Sequence, residues 1–191
     1  LTPGKRCCPA PSGPYVPVAA GPAAEDAAFE GTDGSIDPDR IGVIVASGIG
    51  GLHTFEEEAS YYAMHQDQGP KYNPFFIPKM IADIASGHIS MEYGFHGPNY
   101  GVVSACASSN NAIVDAFNLL RLGKADAIIT GGAEAAIYPA GVGGFNSMHA
   151  LSTRHARPDT ASRPLRHSRA GLDLDQGPVG RVLTELDTAP A

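Results

Sequence analysis

The first strongly patterned segment runs from Arg40 to Ser47, Arg-Ile-Gly-Val-Ile-Val-Ala-Ser, and ends in Gly48. A β-branched run without polar alternation predicts a strand buried on both faces. Gly48-Ile-Gly-Gly51 then predicts a tight turn, followed by a polar helix that contains Glu56, Glu57 and Glu58. Asn73-Pro-Phe-Phe-Ile-Pro78 reads as an extended aromatic segment stiffened by its two prolines. From Lys79 to Tyr93 the spacing predicts one helix, with Met80, Ile84 and Met91 on a broad apolar face and Gly94 as its stop. After a turn at His96-Gly-Pro-Asn99, Tyr100 to Cys106 reads as a second strand that ends in the cysteine. Ile113, Ala116, Phe117 and Leu120 fall at i, i+3, i+4 and i+7, a helical stripe that Gly123 closes. Ala125 to Thr130 is a third apolar strand entering Gly131-Gly132. Strand, helix, strand in that order predicts a βαβ unit in an α/β fold with a mostly parallel sheet.

The flanks differ in character. Residues 1–22 are rich in proline, glycine and alanine without periodicity, which predicts a flexible arm, and the prolines interrupt any signal-peptide core. Residues 23–164 hold the patterned body, with order expected from about Ile36, and residues 165–191 form a divergent tail. The sequence begins with Leu1, so it reads as a portion of a longer or processed chain. Its 191 residues and 43% hydrophobic content suffice for one packed core and argue against wholesale disorder. No apolar run is long enough to cross a membrane. The net charge of −7 argues against a nucleic-acid partner. Between Ser152 and Gly171, however, Arg154, Arg157, Arg163, Arg166 and Arg169 face only Asp159. That stretch is either a solvated loop or a docking surface for an acidic partner.

Three cysteines, two of them adjacent at Cys7 and Cys8, provide neither a disulfide framework nor metal-ligand spacing, and they suit a reducing, cytoplasmic compartment. The glycines at 48–51 lack the third glycine of a dinucleotide loop, since His53 stands there, and lack the Lys-Ser/Thr of a phosphate loop. A turn for close packing is the better reading. Cys106 is different. At a strand-to-helix junction a thiolate meets the positive end of the helix dipole and unpaired N–H groups, at the sheet edge where α/β folds place their sites. Ala105, Ala107, Ser108 and Ser109 leave room for a substrate. By position alone, Cys106 is either such a nucleophile or a small buried hydrophobe.

Several segments together shift that balance. Asp-Arg-Ile-Gly-Val-Ile with Ser-Gly-Ile-Gly-Gly (39–51), Asn-Pro-Phe-Phe-Ile-Pro (73–78) and Gly-Pro-Asn-Tyr…Ser-Ala-Cys-Ala (97–107) are the first of these. Ala-Asp-Ala-Ile-Ile-Thr-Gly-Gly-Ala-Glu (125–134) and Gly-Val-Gly-Gly-Phe…Ala-Leu-Ser-Thr-Arg (141–154) continue the series. From about Asp37 to Arg163 the chain resembles a type II β-ketoacyl-acyl carrier protein synthase of the thiolase superfamily. The resemblance implies a thiolase-like fold, of which this chain holds one βαβαβ-type half, incomplete at both ends. It implies fatty-acid chain elongation by decarboxylative Claisen condensation, with Cys106 as the acyl-accepting nucleophile and no cofactor or metal. Ile49 corresponds to the acyl-pocket gate, Phe76 to a pocket-lining position, and Phe145 to the glycine-rich mobile loop over the site. His149 and Arg154 are implied in docking of the carrier protein, which delivers acyl and malonyl thioesters. The strand before Cys106 and the helix after it correspond to a homodimer interface, which here could also pair with a full synthase.

The resemblance has limits. The family's two catalytic histidines and its lysine lie in a second half, and His53, His65, His88, His96, His149, His155 and His167 all lack the family's histidine contexts. The chain alone is therefore expected to lack turnover, and a catalytically inert relative that binds acyl chains, carrier protein or a full synthase is the alternative. A cysteine hydrolase built on the same elbow is the reading from another class. The opening strand and helix of the family have no counterpart in residues 1–22, and residues 23–33 hold at most a remnant of a helix. Past Pro164, Ala170, Asp175 and Gln176 depart from the family pattern, and Pro178 and Arg181 make a final buried strand doubtful. One half alone is expected to leave apolar surface uncovered.

Overall fold

In the computed structural model the described residues are 36–184, together with Pro22 and Ala23. The proposed arm, the helix remnant at 23–33, Cys7, Cys8 and the last seven residues of the tail lie outside them, Pro22 and Ala23 apart. Four strands, β1 (Ile41–Ala46), β2 (Asn99–Val102), β3 (Ala127–Glu134) and β4 (Gly177–Thr184), form one sheet in the order β2-β1-β3-β4. Within residues 36–184 five α-helices accompany them: α1 (Leu52–Met64), α2 (Phe76–Met80), α3 (Ile84–Tyr93), α4 (Ser108–Arg121) and α5 (Pro139–Ser147).

β1 pairs in parallel with β2, from Val43 opposite Asn99 to Ala46 opposite Val102, and with β3, from Ile41 opposite Ala127 to Ala46 opposite Gly132. All six residues of β1 are buried, as an unalternating run requires of a central strand. Its odd residues Ile41, Val43 and Val45 pack with Ile129 and with Ile89 of α3. Its even residues Ile44 and Ala46 pack with Ile128 and with Ala112, Ala116 and Leu120 of α4. The sheet therefore lies between α3 and α4. The chain steps from β1 to β2 on one side and then back past β1 to β3. Right-handed crossovers in opposite directions must use opposite faces, which is where α3 and α4 lie.

Local chemistry explains where the elements differ from the sequence pattern. The segment at 73–78 is not extended. The Asn73 side chain accepts from the Phe75 N–H at 2.9 Å and its carbonyl from the Phe76 N–H at 2.8 Å, which turns the chain into α2. The single helix expected at 79–93 is two, because Ile81 takes an extended backbone and ends α2 before α3 begins. α3 buries Ser86 and Ile89 against the sheet, while Met91 is 69% exposed. The Ser86 hydroxyl accepts from the Val45 N–H and donates to the Tyr100 carbonyl, both at 3.0 Å, so a polar residue occupies the seam between β1 and β2. Gly94 does end the helix, in the left-handed conformation.

In α4 the buried stripe is Ser108, Ala112, Ala116 and Leu120, and Phe117 faces outward with its ring against the Arg121 guanidinium. The doubtful strand at the C-terminal end forms: β4 pairs antiparallel with β3 from Ala127–Thr184 to Glu134–Gly177. β4 is an edge strand, where a proline such as Pro178 is tolerated, and Arg181 is exposed while Val182 and Leu183 turn toward the core. No helix among the described residues is long and apolar enough to cross a membrane.

Candidate active site

β1, β2 and β3 run parallel, so their carboxyl ends share one edge of the sheet. The loops leaving the neighbours β1 and β2 head for opposite faces, the arrangement that opens a crevice in α/β sheets. Gly48 and Ile49 follow β1, and Ser104 to Ala107 follow β2. Cys106 therefore lies at that crevice, although the strand does not reach it. β2 ends at Val102, and Cys106 is the middle residue of a short 3-10 turn, Ala105–Ala107, that runs into α4. Its thiol is exposed and free, which removes the reading of a buried hydrophobe.

Ala105 just before it adopts φ 52°, a left-handed conformation unusual for a residue with a Cβ. Hydrogen bonds hold that bend. The Ser108 hydroxyl donates to the Ala105 carbonyl at 2.6 Å and accepts from the Ser104 N–H at 2.8 Å. The Asn111 amide donates to the Ser104 hydroxyl at 2.7 Å. The sharp strand-to-helix bend projects the cysteine at the start of a fourteen-residue helix, whose first N–H groups favour negative charge. Two glycines allow the close packing below it. A methyl group on Gly132 would stand 2.2 Å from the Ser109 hydroxyl, and one on Gly48 would stand 2.9 Å from a Glu134 carboxylate oxygen and 3.6 Å from the Ala105 carbonyl oxygen.

Ile49 is 46% exposed on the loop after β1, with Gly48 packed beside the Cys106 turn. The Glu134 Oε2 accepts from the N–H groups of Gly48 and Ile49, at 2.7 and 3.0 Å. Phe76 opens α2 inside an aromatic group, stacked on Tyr72 at 5.3 Å and near Phe55 at 6.4 Å. No contact with Cys106 joins it to the turn in the described interactions. Phe145 stands in α5, so its glycine-rich segment is helical rather than a loop. Pro139 supplies a pre-set first turn and Glu56 of α1 accepts the Ala140 N–H at 3.3 Å. His149 is exposed at φ 53° just after α5. Arg154 begins the basic stretch, whose ends are tied by a bridge between Leu151 and Leu172.

The sequence reading missed Glu134, Ser108 and Asn111. The visible signal for the first was a lone carboxylate closing an otherwise apolar and small strand. His53 stacks on Tyr138 at 3.9 Å and pairs with Glu57, His65 contacts the Tyr61 carbonyl, and His96 pairs with Asp39, so these three have partners other than the cysteine. The described residues contain no cluster of three or more His, Cys, Asp or Glu fit to hold a metal.

Comparison with known proteins places this geometry. The family model for the beta-ketoacyl synthase N-terminal domain matches residues 15–189. The chain belongs to the beta-ketoacyl synthase family. A ketosynthase relative, the 3-oxoacyl-[acyl-carrier-protein] synthase 2 of Staphylococcus aureus strain N315, is 41% identical over 178 residues. That match covers 93% of this chain and 42% of the relative. The enzyme of the same name from Synechocystis is 44% identical over 157 residues, covering 82% and 37%. The chain thus spans less than half the length of these curated relatives.

Among solved structures, a beta-ketoacyl synthase from Burkholderia phymatum superposes with TM-score 0.77 at 28% identity, covering 93% of this chain and 42% of that one. A type II polyketide ketosynthase bound to the hexaketide, in complex with its acyl-carrier protein, shares the fold with TM-score 0.82 at 22% identity, covering 94% and 45%. The thiolase-like α/β fold is therefore present, with its mostly parallel sheet.

Proposed function

We propose that this chain is the acyl-accepting part of a β-ketoacyl-acyl carrier protein synthase, with Cys106 as its nucleophile. The observation that carries the reading is Cys106 itself: a free, exposed thiol on a left-handed bend at the carboxyl edge of a parallel sheet, within a chain of this family. The thiolate attacks the carbonyl carbon of an acyl thioester, and the backbone N–H of Cys106 holds the resulting oxyanion. As the intermediate collapses, the carrier thiolate departs and takes up the proton given up by Cys106. The product is an acyl-Cys106 thioester.

In the parent reaction, decarboxylation of a malonyl thioester supplies the carbanion that attacks this acyl group and lengthens it by two carbons. None of the seven histidines matches the family's catalytic contexts, so this chain by itself accepts an acyl group without condensing. Ile49 gates the acyl pocket, and Phe76 and Phe145 line or cover it. The partner is an acyl carrier protein, docked at His149, Arg154 and the arginine stretch that follows. Tyr100 and Val103 near the open edge at β2, with Val114 and Phe117 outside α4, are exposed and form the face for a second copy or a full synthase.

The test is the intact mass of the chain after incubation with an acyl-carrier protein, beside Cys106→Ala. A gain equal to the acyl group, removed by hydroxylamine and missing in the variant, is the expected result. A folded chain that gains nothing would be the inert relative, and detectable β-ketoacyl product would overturn the claim that this chain does not condense.

A further inference from the structure

We propose that Glu134 is a positioning residue: its carboxylate clamps the Gly48–Ile49 turn beside the Cys106 turn and so sets which acyl chains Cys106 accepts. This rests on the reading of Cys106 as the acyl acceptor. Residues 127–133 of β3 are buried and apolar or small apart from Thr130, and Glu134 closes the strand with a carboxyl group. One oxygen, Oε2, takes both N–H groups of the neighbouring turn, Gly48 at 2.7 Å and Ile49 at 3.0 Å. The other, Oε1, is buried and has no hydrogen-bond partner among the described residues. No ion pair compensates the group among those described.

A half-buried carboxylate with one buried, unsatisfied oxygen is an expensive way to end a strand. What it gains is a pair of charge-assisted bonds to consecutive amides that no sheet ladder satisfies. The clamped turn also packs close to the bend before the cysteine, since a Cβ added at Gly48 would stand 2.9 Å from the Glu134 Oε2 and 3.6 Å from the Ala105 carbonyl oxygen. Ile49, held by its own amide, therefore has a fixed position relative to Cys106, while its side chain stays half exposed. Glutamate has the reach to do this from the end of β3, and glutamine keeps both the reach and an acceptor oxygen. Aspartate keeps the charge but falls one methylene short.

The experiment uses Glu134→Ala, Glu134→Gln and Glu134→Asp in this chain, with two readouts. One is acylation of Cys106 by butyryl- and palmitoyl-carrier protein, followed by intact mass. The other is hydrogen exchange at the Gly48 and Ile49 amides. In Glu134→Ala and Glu134→Asp, both amides should exchange about tenfold faster or more while the amides of α4 keep their protection. The palmitoyl-to-butyryl rate ratio should move by about fivefold or more, and Glu134→Gln should restore it to within about twofold of the parent. A merely structural role would slow both acyl chains equally.

An unchanged ratio in a folded Glu134→Asp overturns the proposal, and that variant decides the matter if Glu134→Ala does not fold. Should the parent chain take no acyl group at all, the reading of Cys106 fails on its own. The exchange data then judge the clamp separately, and unchanged protection at Gly48 and Ile49 overturns it.

Discussion

At the scale of single residues, the site depends on a backbone conformation that alanine adopts at a cost. Ala105 at φ 52° loses about 1–2 kcal/mol relative to a residue without a Cβ. Ala105→Gly should therefore leave stability unchanged or raise it by up to about 1 kcal/mol, since the strain it relieves is partly offset by glycine's greater freedom in the unfolded chain. Ala105→Val should cost about 2 kcal/mol, because a β-branched side chain is an outlier there. Urea denaturation midpoints of the three proteins check both directions. A valine variant as stable as the parent would show that the bend is not strained. Cys106 stood out in the sequence as a candidate, from its neighbours and from the family resemblance. The bend was not, because a left-handed alanine is decided by Ser108 and Asn111, whose hydroxyl and amide reach back from the next helix. The sequence pattern accordingly ran the strand through to the cysteine, four residues too far.

At the scale of elements, the starts of β1 and β3 are tied by one two-pronged ion pair. The Arg40 guanidinium donates to both Asp126 oxygens, at 2.6 and 2.5 Å, and also to the Gly123 carbonyl at 3.2 Å. The hydrogen bonds from Arg40 hold the Asp126 carboxyl below its usual range, against the opposing effect of partial desolvation. A depressed carboxyl contributes stability that is present above its unfolded pKa and is lost as pH falls through the lower folded value. Arg40→Met should therefore cost about 0.5 kcal/mol at neutral pH, as partly exposed pairs do, and the deficit should shrink below about pH 4. Thermal melts of both proteins between pH 7 and pH 3 measure it, and a deficit that does not narrow in acid would rule out the ion pair as its source. The neighbouring strand shows the reverse shift. Burial first, and then the nearby carboxylate of Asp115, raise the Tyr100 phenol above its ordinary value. Element type was read well where one face or both faces were uniformly apolar, as in β1 and β3. It failed at 73–93 and at β4, where the deciding features were an Asn73 turn, a break at Ile81 and the edge position of a proline-bearing strand.

At the scale of the whole molecule, an acidic chain carries one concentrated basic stretch. If Arg154 docks an acidic carrier protein, Arg154→Glu should slow acylation of Cys106 by carrier-bound acyl groups about tenfold at low salt. Acylation by a small soluble thioester should be untouched, and added salt should narrow the gap between variant and parent. Equal loss with both donors would mean that Arg154 serves the site rather than the partner. Val114 and Phe117, in the face proposed for a second copy or a full synthase, are 53% and 52% exposed on the outside of α4. The sequence by itself determined the buried strands β1 and β3, the helix that follows Cys106 and the family. Those follow from local periodicity and from motifs that survive as contiguous letters. Only the tertiary structure decided that the loops after β1 and β2 part at one sheet edge and that Glu134 reaches across to the Gly48–Ile49 turn. It alone put the left-handed bend at Ala105, because each of these joins residues distant in sequence or sets a backbone angle through groups from another element.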